Sequence, residues 1–238
     1  MDGLITPPDL AKIKIIQKMI KGGMLGLDLG CGAGHSFPAL SKMDDVVGLD
    51  ASKRALGIAK KRTKKYALIL GDAQKLPFRD ACFDVLIAKD VLEHMTNDLH
   101  VISEINRVSK LGAKLIVYVP YTFDTLNLSI EYLLKNCLGY SIDKFVGHLR
   151  RYDCFDITNK LQKGFLISHT TYFTHFFSST VAVLCVIGYR SFNHIKPIKE
   201  GNFVKAVSNV VKLLCLVEYK IMKKLPGAGL FIVAKRRY

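Results

Sequence analysis

At 238 residues, half of them hydrophobic, the chain can bury one sizeable core with an insertion, and it shows no internal repeat or low-complexity tract. Lys and Arg outnumber Asp and Glu by 35 to 20, a formal +15 that points to an anionic partner and is silent on the fold. Six scattered cysteines (Cys31, Cys82, Cys137, Cys154, Cys185, Cys215) include no C-x-x-C pair, so they read as reduced thiols, and neither a zinc site nor any other bound metal is expected.

In chain order, the opening MDGLITPPDLAKIKIIQKMIKGG carries lysines through its apolar part and lacks a cleavable apolar segment, so it is not read as a secretory signal and a cytoplasmic location is expected. Within it, Leu10 to Ile20 has apolar residues at helical spacing behind Pro7 and Pro8, which predicts a leading helix. Short apolar runs then recur at 24–29, 46–50, 67–70, 83–88 and 114–119. Between them, SKRALGIAKKR (52–62) and NDLHVISEINRVSK (97–110) have helix composition, the second entered through Asn97 and left through Gly112. Strand and helix in alternation predict an α/β fold: a Rossmann-like, doubly wound, mostly parallel seven-stranded sheet with helices on both faces. Beyond Pro120 the pattern loosens. A helix is expected from near Asp153, a sixth strand at Phe165–Phe173 and a final strand at 229–237.

The stretch LDLGCGAG (27–34) places Gly30, Gly32 and Gly34 behind the first strand and ahead of an expected helix. Glycine there lets backbone pass close to a bound nucleotide at the carboxyl end of the sheet. The spacing is G-x-G-x-G, because His35 occupies the sixth position, and this departs from the pyrophosphate-binding G-x-G-x-x-G turn. A nicotinamide-dependent oxidoreductase is therefore disfavoured.

Taken with VVGLDAS (46–52), GDAQKLPF (71–78) and FDVLIAKDVLEHM (83–95), this run resembles the class I S-adenosylmethionine-dependent methyltransferases, in particular the type 11 group that includes quinone-biosynthesis enzymes. The likeness covers about the first half of the chain. It implies S-adenosyl-L-methionine as cofactor, with Asp28 and the glycine turn at its methionine part, Asp50 and Ala51 at the ribose, Asp72 and Ala73 at the adenine edge and Lys89 lining the site. It also implies that Asp90, Glu93 and His94 face the acceptor. A second, shorter resemblance is GHLRRY (147–152), which is similar to G-H-x-R-R-Y stretches in a subset of type 11 methyltransferases, some resembling enzymes of surface glycan or lipid biosynthesis.

A sulfonium methyl is already activated, so what remains for the protein is to hold an acceptor in line and to take a proton from it; His94 and His148 are the candidate bases. Arg150 and Arg151 would clamp a carboxylate or phosphate, with Tyr152 closing over the site; the alternative makes the arginines surface charges and His148 a packing residue. The basic residues between Lys53 and Lys65 read as a solvated helix face. No aromatic platform accompanies them, and the fourth-strand loop lacks an N-P-P-Y or D-P-P-Y form, so a nucleic-acid partner is disfavoured.

About fifty residues separate the last two strands, beginning with THFFSSTVAVLCVIGY (174–189), whose uncharged length falls short of the roughly twenty residues that cross a bilayer. With a lysine-edged helix at 203–222, residues 174–227 form a helical insertion that is either a lid, a peripheral membrane contact through 174–224, or a pair packed on the core or on a second copy of the chain. The expectation is one domain: leading helix 1–23, cofactor half 24–119, substrate-side half 120–173, the insertion and final strand 228–238. Its function would be methyl transfer to oxygen or carbon of a small-molecule, lipid or lipid-linked glycan acceptor. The alternative is a non-catalytic binding protein on the same fold.

Overall fold

The short apolar runs form strands because each is too short for a stable helix and is bounded by turn residues. They are β1 (Leu25–Leu29), β2 (Asp45–Asp50), β3 (Ala67–Leu70), β4 (Phe83–Lys89), β5 (Ser109–Pro120), β6 (Phe165–Phe173) and β7 (Gly229–Arg236). The computed structural model describes residues 7–122, 142–173, 213–214, 217–218, 220–221, 227 and 229–238. The strands make one sheet in the order β3-β2-β1-β4-β5-β7-β6. Neighbours are parallel from β3 to β5, and β7 runs antiparallel between β5 and β6. Strand order reverses between β1 and β4, so their carboxyl ends border the crevice where open α/β sheets bind ligands.

The α-helices α1 (Pro7–Met19), α2 (Lys53–Arg62), α3 (Asp98–Val108), α4 (Ile142–Val146) and α5 (Cys154–Gln162) accompany the sheet. Three start on side-chain caps that satisfy an orphan amide. Ser52 accepts from Ala55 N, Asn97 from His100 N and Asp153 from Asp156 N.

Alternation along β4 divides the core between the two faces of the sheet. Leu86 and Ala88 join Val101, Ile102 and Ile105 of α3 and Ile157 and Leu161 of α5. Val85 and Ile87 join Ile13 and Ile16 of α1, with Phe37 and Met43. Each of the Val, Leu, Ile, Phe and Met side chains among these contributes about 1.5–3 kcal/mol when fully buried.

Two local expectations are corrected. The glycine turn leads into a short 3-10 helix, Phe37–Leu40, which has Pro38 at its start, and not into an α-helix. The helix after Asn97 ends at Val108: Ser109 is extended, its hydroxyl donates to Ile105 O at 2.6 Å, and it already begins β5. Gly112, φ +75°, instead lies inside β5. There the pairing slips, Phe83 facing Ser109 and Val85 facing Lys114.

The proposed insertion falls almost wholly outside the described residues, as do Cys137, Cys185, Cys215 and positions 123–141 of the substrate-side half. Among the described residues no helix is long and apolar enough to cross a membrane.

Candidate functional site

The chain leaves β1 through Gly30, Gly32 and Gly34, with φ of +65°, +51° and +82°. Only glycine adopts such angles without strain. A Cβ on Gly30 would lie 2.4 Å from Val91 Cγ2, so this turn packs directly on the loop after β4. A Cβ on Gly32 would meet no described atom within 4 Å, so the middle of the turn borders open space.

Two acids stand behind the turn. Asp50, at the end of β2, accepts from Gly32 N and from Ser52 N, both at 2.8 Å, and thereby pins the turn to its neighbour strand. Each carboxylate oxygen has a second lone-pair site left. Asp28, on β1, is 1% exposed, and its Oδ2 has no hydrogen-bond partner among the described residues. Burial pushes its pKa up to about 7, opposed by Lys89 and reinforced by Asp50. Lys89 is paired with Asp90 at 2.8 Å. At the end of β3, Asp72 is exposed and its carboxylate accepts from Gln74 N, Ala73 is buried, and Ala51 is exposed after β2.

Asp90 takes a left-handed conformation, φ +55°, which turns the chain into a 3-10 helix, Leu92–His94. Glu93 within it is 0% exposed, and neither carboxylate oxygen has a hydrogen-bond partner among the described residues. Burial, with Asp90 adding to it, pushes Glu93 up to about 8 against the opposing charges of Lys89 and Lys12. Residues 147–152 lie against this loop: Leu149 N donates to Glu93 O at 2.9 Å, and His94 Nδ1 lies 3.0 Å from Gly147 O. His148 Nδ1 lies 2.9 Å from Asp143 Oδ1, and its Nε2 is 3.8 Å from Glu93 Oε1. The rings of His94 and His148 meet edge to face at 5.0 Å. Glu93, His94 and His148 thus each present one ligand-type atom within 4.8 Å of the others.

The expected anion clamp engages the protein's own groups. Arg150 reaches Asp98 at 3.2 Å and donates to Thr96 O at 3.0 Å, while Arg151 Nε donates to both oxygens of Asp143 at 2.9 and 2.8 Å. Tyr152 is 0% exposed, so it covers no opening: its hydroxyl proton is shared between Leu92 O at 3.0 Å and Asp98 Oδ2 at 2.8 Å. Asp143 and Asp98, the acids that organise this segment, carry no local sequence signal, since each serves partners on other elements.

Residues 27–117 match the family model described as a methyltransferase domain. Over this segment the chain is similar to the class I S-adenosylmethionine-dependent methyltransferases. It is 33% identical over 138 residues to an uncharacterised protein of Methanocaldococcus jannaschii, covering 58% of this chain and 51% of that one. It is also 35% identical over 104 residues to a demethylmenaquinone methyltransferase of Staphylococcus aureus (strain MRSA252), covering 41% and 43%. The chain therefore spans about half the length of these curated relatives, or less. In fold it resembles the crystal structure of a candidate methyltransferase of Bacillus halodurans C-125, with TM-score 0.62 and 19% identity over 97% of this chain and 99% of that one. The matched methyltransferase segment holds the glycine turn, Asp28, Asp50, Asp72 and Glu93, whereas His148 and the arginines lie beyond it.

Proposed function

We propose that the chain binds S-adenosyl-L-methionine at the β1–β4 crevice and transfers its methyl group to oxygen or carbon of a small, apolar or anionic acceptor. One observation carries this reading: Asp28, a buried carboxylate whose Oδ2 has no hydrogen-bond partner among the described residues, stands beside a left-handed glycine turn whose middle residue borders open space. Those residues fit the cofactor. An ammonium group would supply the donor that Asp28 Oδ2 lacks among the described residues, and the remaining lone pairs of Asp50 can accept two ribose hydroxyls. Asp72 and Ala73 would border the adenine, and Ala51 and Lys89 would flank the site.

When bound, the cofactor supplies an electrophilic methyl group that needs no further activation. The residues of the β4 loop and the 147–152 segment supply the acceptor side. With Nδ1 of His94 facing Gly147 O and Nδ1 of His148 facing Asp143, Nε2 is the nitrogen on each ring left to receive a proton from an acceptor hydroxyl or acidic carbon. Asp90 and Glu93 shape the same side, and Arg150, Arg151 and Tyr152 act on the acceptor by holding that segment in place.

The +15 formal charge and the likeness to a demethylmenaquinone methyltransferase support an isoprenoid quinol or an anionic lipid-linked acceptor, presented at a membrane surface. Isothermal titration with S-adenosylhomocysteine tests the reading, followed by methyl transfer to a panel of quinols and glycolipids. Binding with turnover of one panel class is expected. Absence of binding defeats the proposal, and binding without turnover on any acceptor favours a non-catalytic protein on the same fold.

A further inference from the structure

Glu93 poses a problem that methyl transfer does not solve. Two oxygens of a fully buried carboxylate lack any hydrogen-bond partner among the described residues, and such groups in native proteins call for a missing counterpart, often an ion. The surrounding atoms indicate which ion. Both neighbouring imidazoles have Nδ1 against an oxygen, Gly147 O for His94 and Asp143 Oδ1 for His148. That arrangement sets the tautomer that leaves Nε2 with a lone pair, and a carboxylate behind a histidine is the usual outer support of a metal-bound imidazole.

We propose that Glu93, His94 and His148 bind one divalent transition-metal ion of the zinc class, with Asp143 as the outer support of His148. Two imidazole nitrogens and one carboxylate form a ligand set that holds zinc with an open coordination position. Zinc held at its ordinary ligand distances places tetrahedral ligand atoms ~3.4 Å apart. The 3.8 Å between Glu93 Oε1 and His148 Nε2 needs only a few tenths of contraction, and the 4.8 Å limit for the whole group is within side-chain adjustment. The cluster is also anchored by backbone, through Leu149 N on Glu93 O, so the fold brings His148 to the carboxylate whether or not an ion is present.

The ion-binding claim stands on this geometry alone. Its use in the reaction rests on the methyltransferase reading and replaces the histidines as bases: with both Nε2 atoms on the ion, the open position would take an acceptor oxygen as its anion and the proton would pass to solvent, because a bound metal lowers the pKa of an oxygen ligand. That favours enol, phenol or hydroxyl oxygens over nitrogen as the acceptor class.

The test titrates zinc chloride, and separately cobalt(II) chloride, into the full chain after chelator treatment, read by calorimetry and by the visible absorption of bound cobalt. One equivalent is expected, with affinity lowered at least about 100-fold in Glu93→Gln, His94→Ala and His148→Ala, and about 10–100-fold in Asp143→Asn. His169→Ala, exposed on β6, should leave it unchanged. Circular dichroism identifies any variant that fails to fold, and the isosteric Glu93→Gln then decides. No uptake, or uptake unaltered in Glu93→Gln and His148→Ala, overturns the proposal and leaves a simple Glu93–His148 ion pair. S-adenosylhomocysteine binding measured on the same samples separates the two readings. Zinc uptake without it sinks the methyltransferase reading and keeps the metal site, whereas the reverse keeps the methyltransferase reading and sinks the metal site.

Discussion

Glu93 and Asp98 lie in one short loop and helix start after β4, both buried, and the fold treats them in opposite ways. Asp98 is surrounded: Tyr152 at 2.8 Å, Lys160 at 2.9 Å and Arg150 at 3.2 Å all address the same oxygen. Burial pulls its pKa upward, but the hydrogen bonds from Lys160 and Tyr152 and the nearby positive charges outweigh this, and the carboxyl sits below its usual range. Glu93 has no such partner among the described residues and is pushed up to about 8. The contrast separates a carboxylate used to join elements from one that no described group hydrogen-bonds. Asp50 and Asp28 repeat the contrast on the cofactor side, one pinned by two amides and the other with an orphan oxygen.

The largest effect is expected where the joining carboxylate is removed. Asp98→Ala takes an acceptor from the buried Tyr152 hydroxyl, leaves Arg150 without its acid and Lys160 with Asp156 alone, and should cost about 3–5 kcal/mol in chemical denaturation. A loss below about 1 kcal/mol would mean that water replaces the carboxylate readily, and the comparison with Glu93 would lose its force. Next comes Asp50→Ala, which removes the acceptor for Gly32 N and Ser52 N and loosens the turn. It should weaken S-adenosylhomocysteine binding by about 1.5–3 kcal/mol, the range for hydrogen bonds to a charged group, as read by calorimetry.

Much of this contrast is invisible in the linear sequence. Strands β3 and β6 coincide with their apolar runs, and Asp28 and Asp50 can be placed at strand ends, because strand identity and turn glycines are encoded within a few residues. The end of α3 is not legible, since Ser109 stops it with a hydroxyl bond back to Ile105 O while a glycine three residues later looks like the better stop. Nor is the pairing of His148 with Glu93, or of Arg150 with Asp98: each joins residues more than fifty positions apart, and contact across elements leaves no period to read. Arg150 looks like part of an anion clamp in sequence for the same reason, because Asp98 lies far away in the chain; the acid that holds Arg151, Asp143, is only eight residues upstream, but nothing local marks the two as a pair.

A pH experiment sharpens the cofactor-side version of the contrast. Asp28 sits at about 7 in the folded protein against an ordinary carboxyl pKa of about 3.9 when unfolded. The folded state therefore holds a proton that the unfolded state has released, and stability falls as pH rises across that window, then levels above it. A ligand ammonium favours the ionised carboxylate, so the sign for binding is the reverse. Affinity for S-adenosylhomocysteine should rise about tenfold between pH 6 and 8, as the ionised fraction does. Asp28→Asn should abolish this rise, and a wild-type profile as flat as that of the variant would show that Asp28 is not the ammonium partner.

The smallest effect on folding is expected from Glu93→Gln, and its smallness is the informative part. Replacing Asp98 strands partners, whereas replacing Glu93 strands none of those described, and the amide matches the carboxyl in shape. Denaturation in the presence of chelator should shift by less than about 1 kcal/mol, in either direction. Adding zinc should then stabilise the wild type and not the variant, because only a state that binds the ion gains from its concentration. A Glu93→Gln loss as large as that of Asp98→Ala would instead make Glu93 a second joining carboxylate, with His148 as its partner, and would remove the physical distinction between the two halves of this segment.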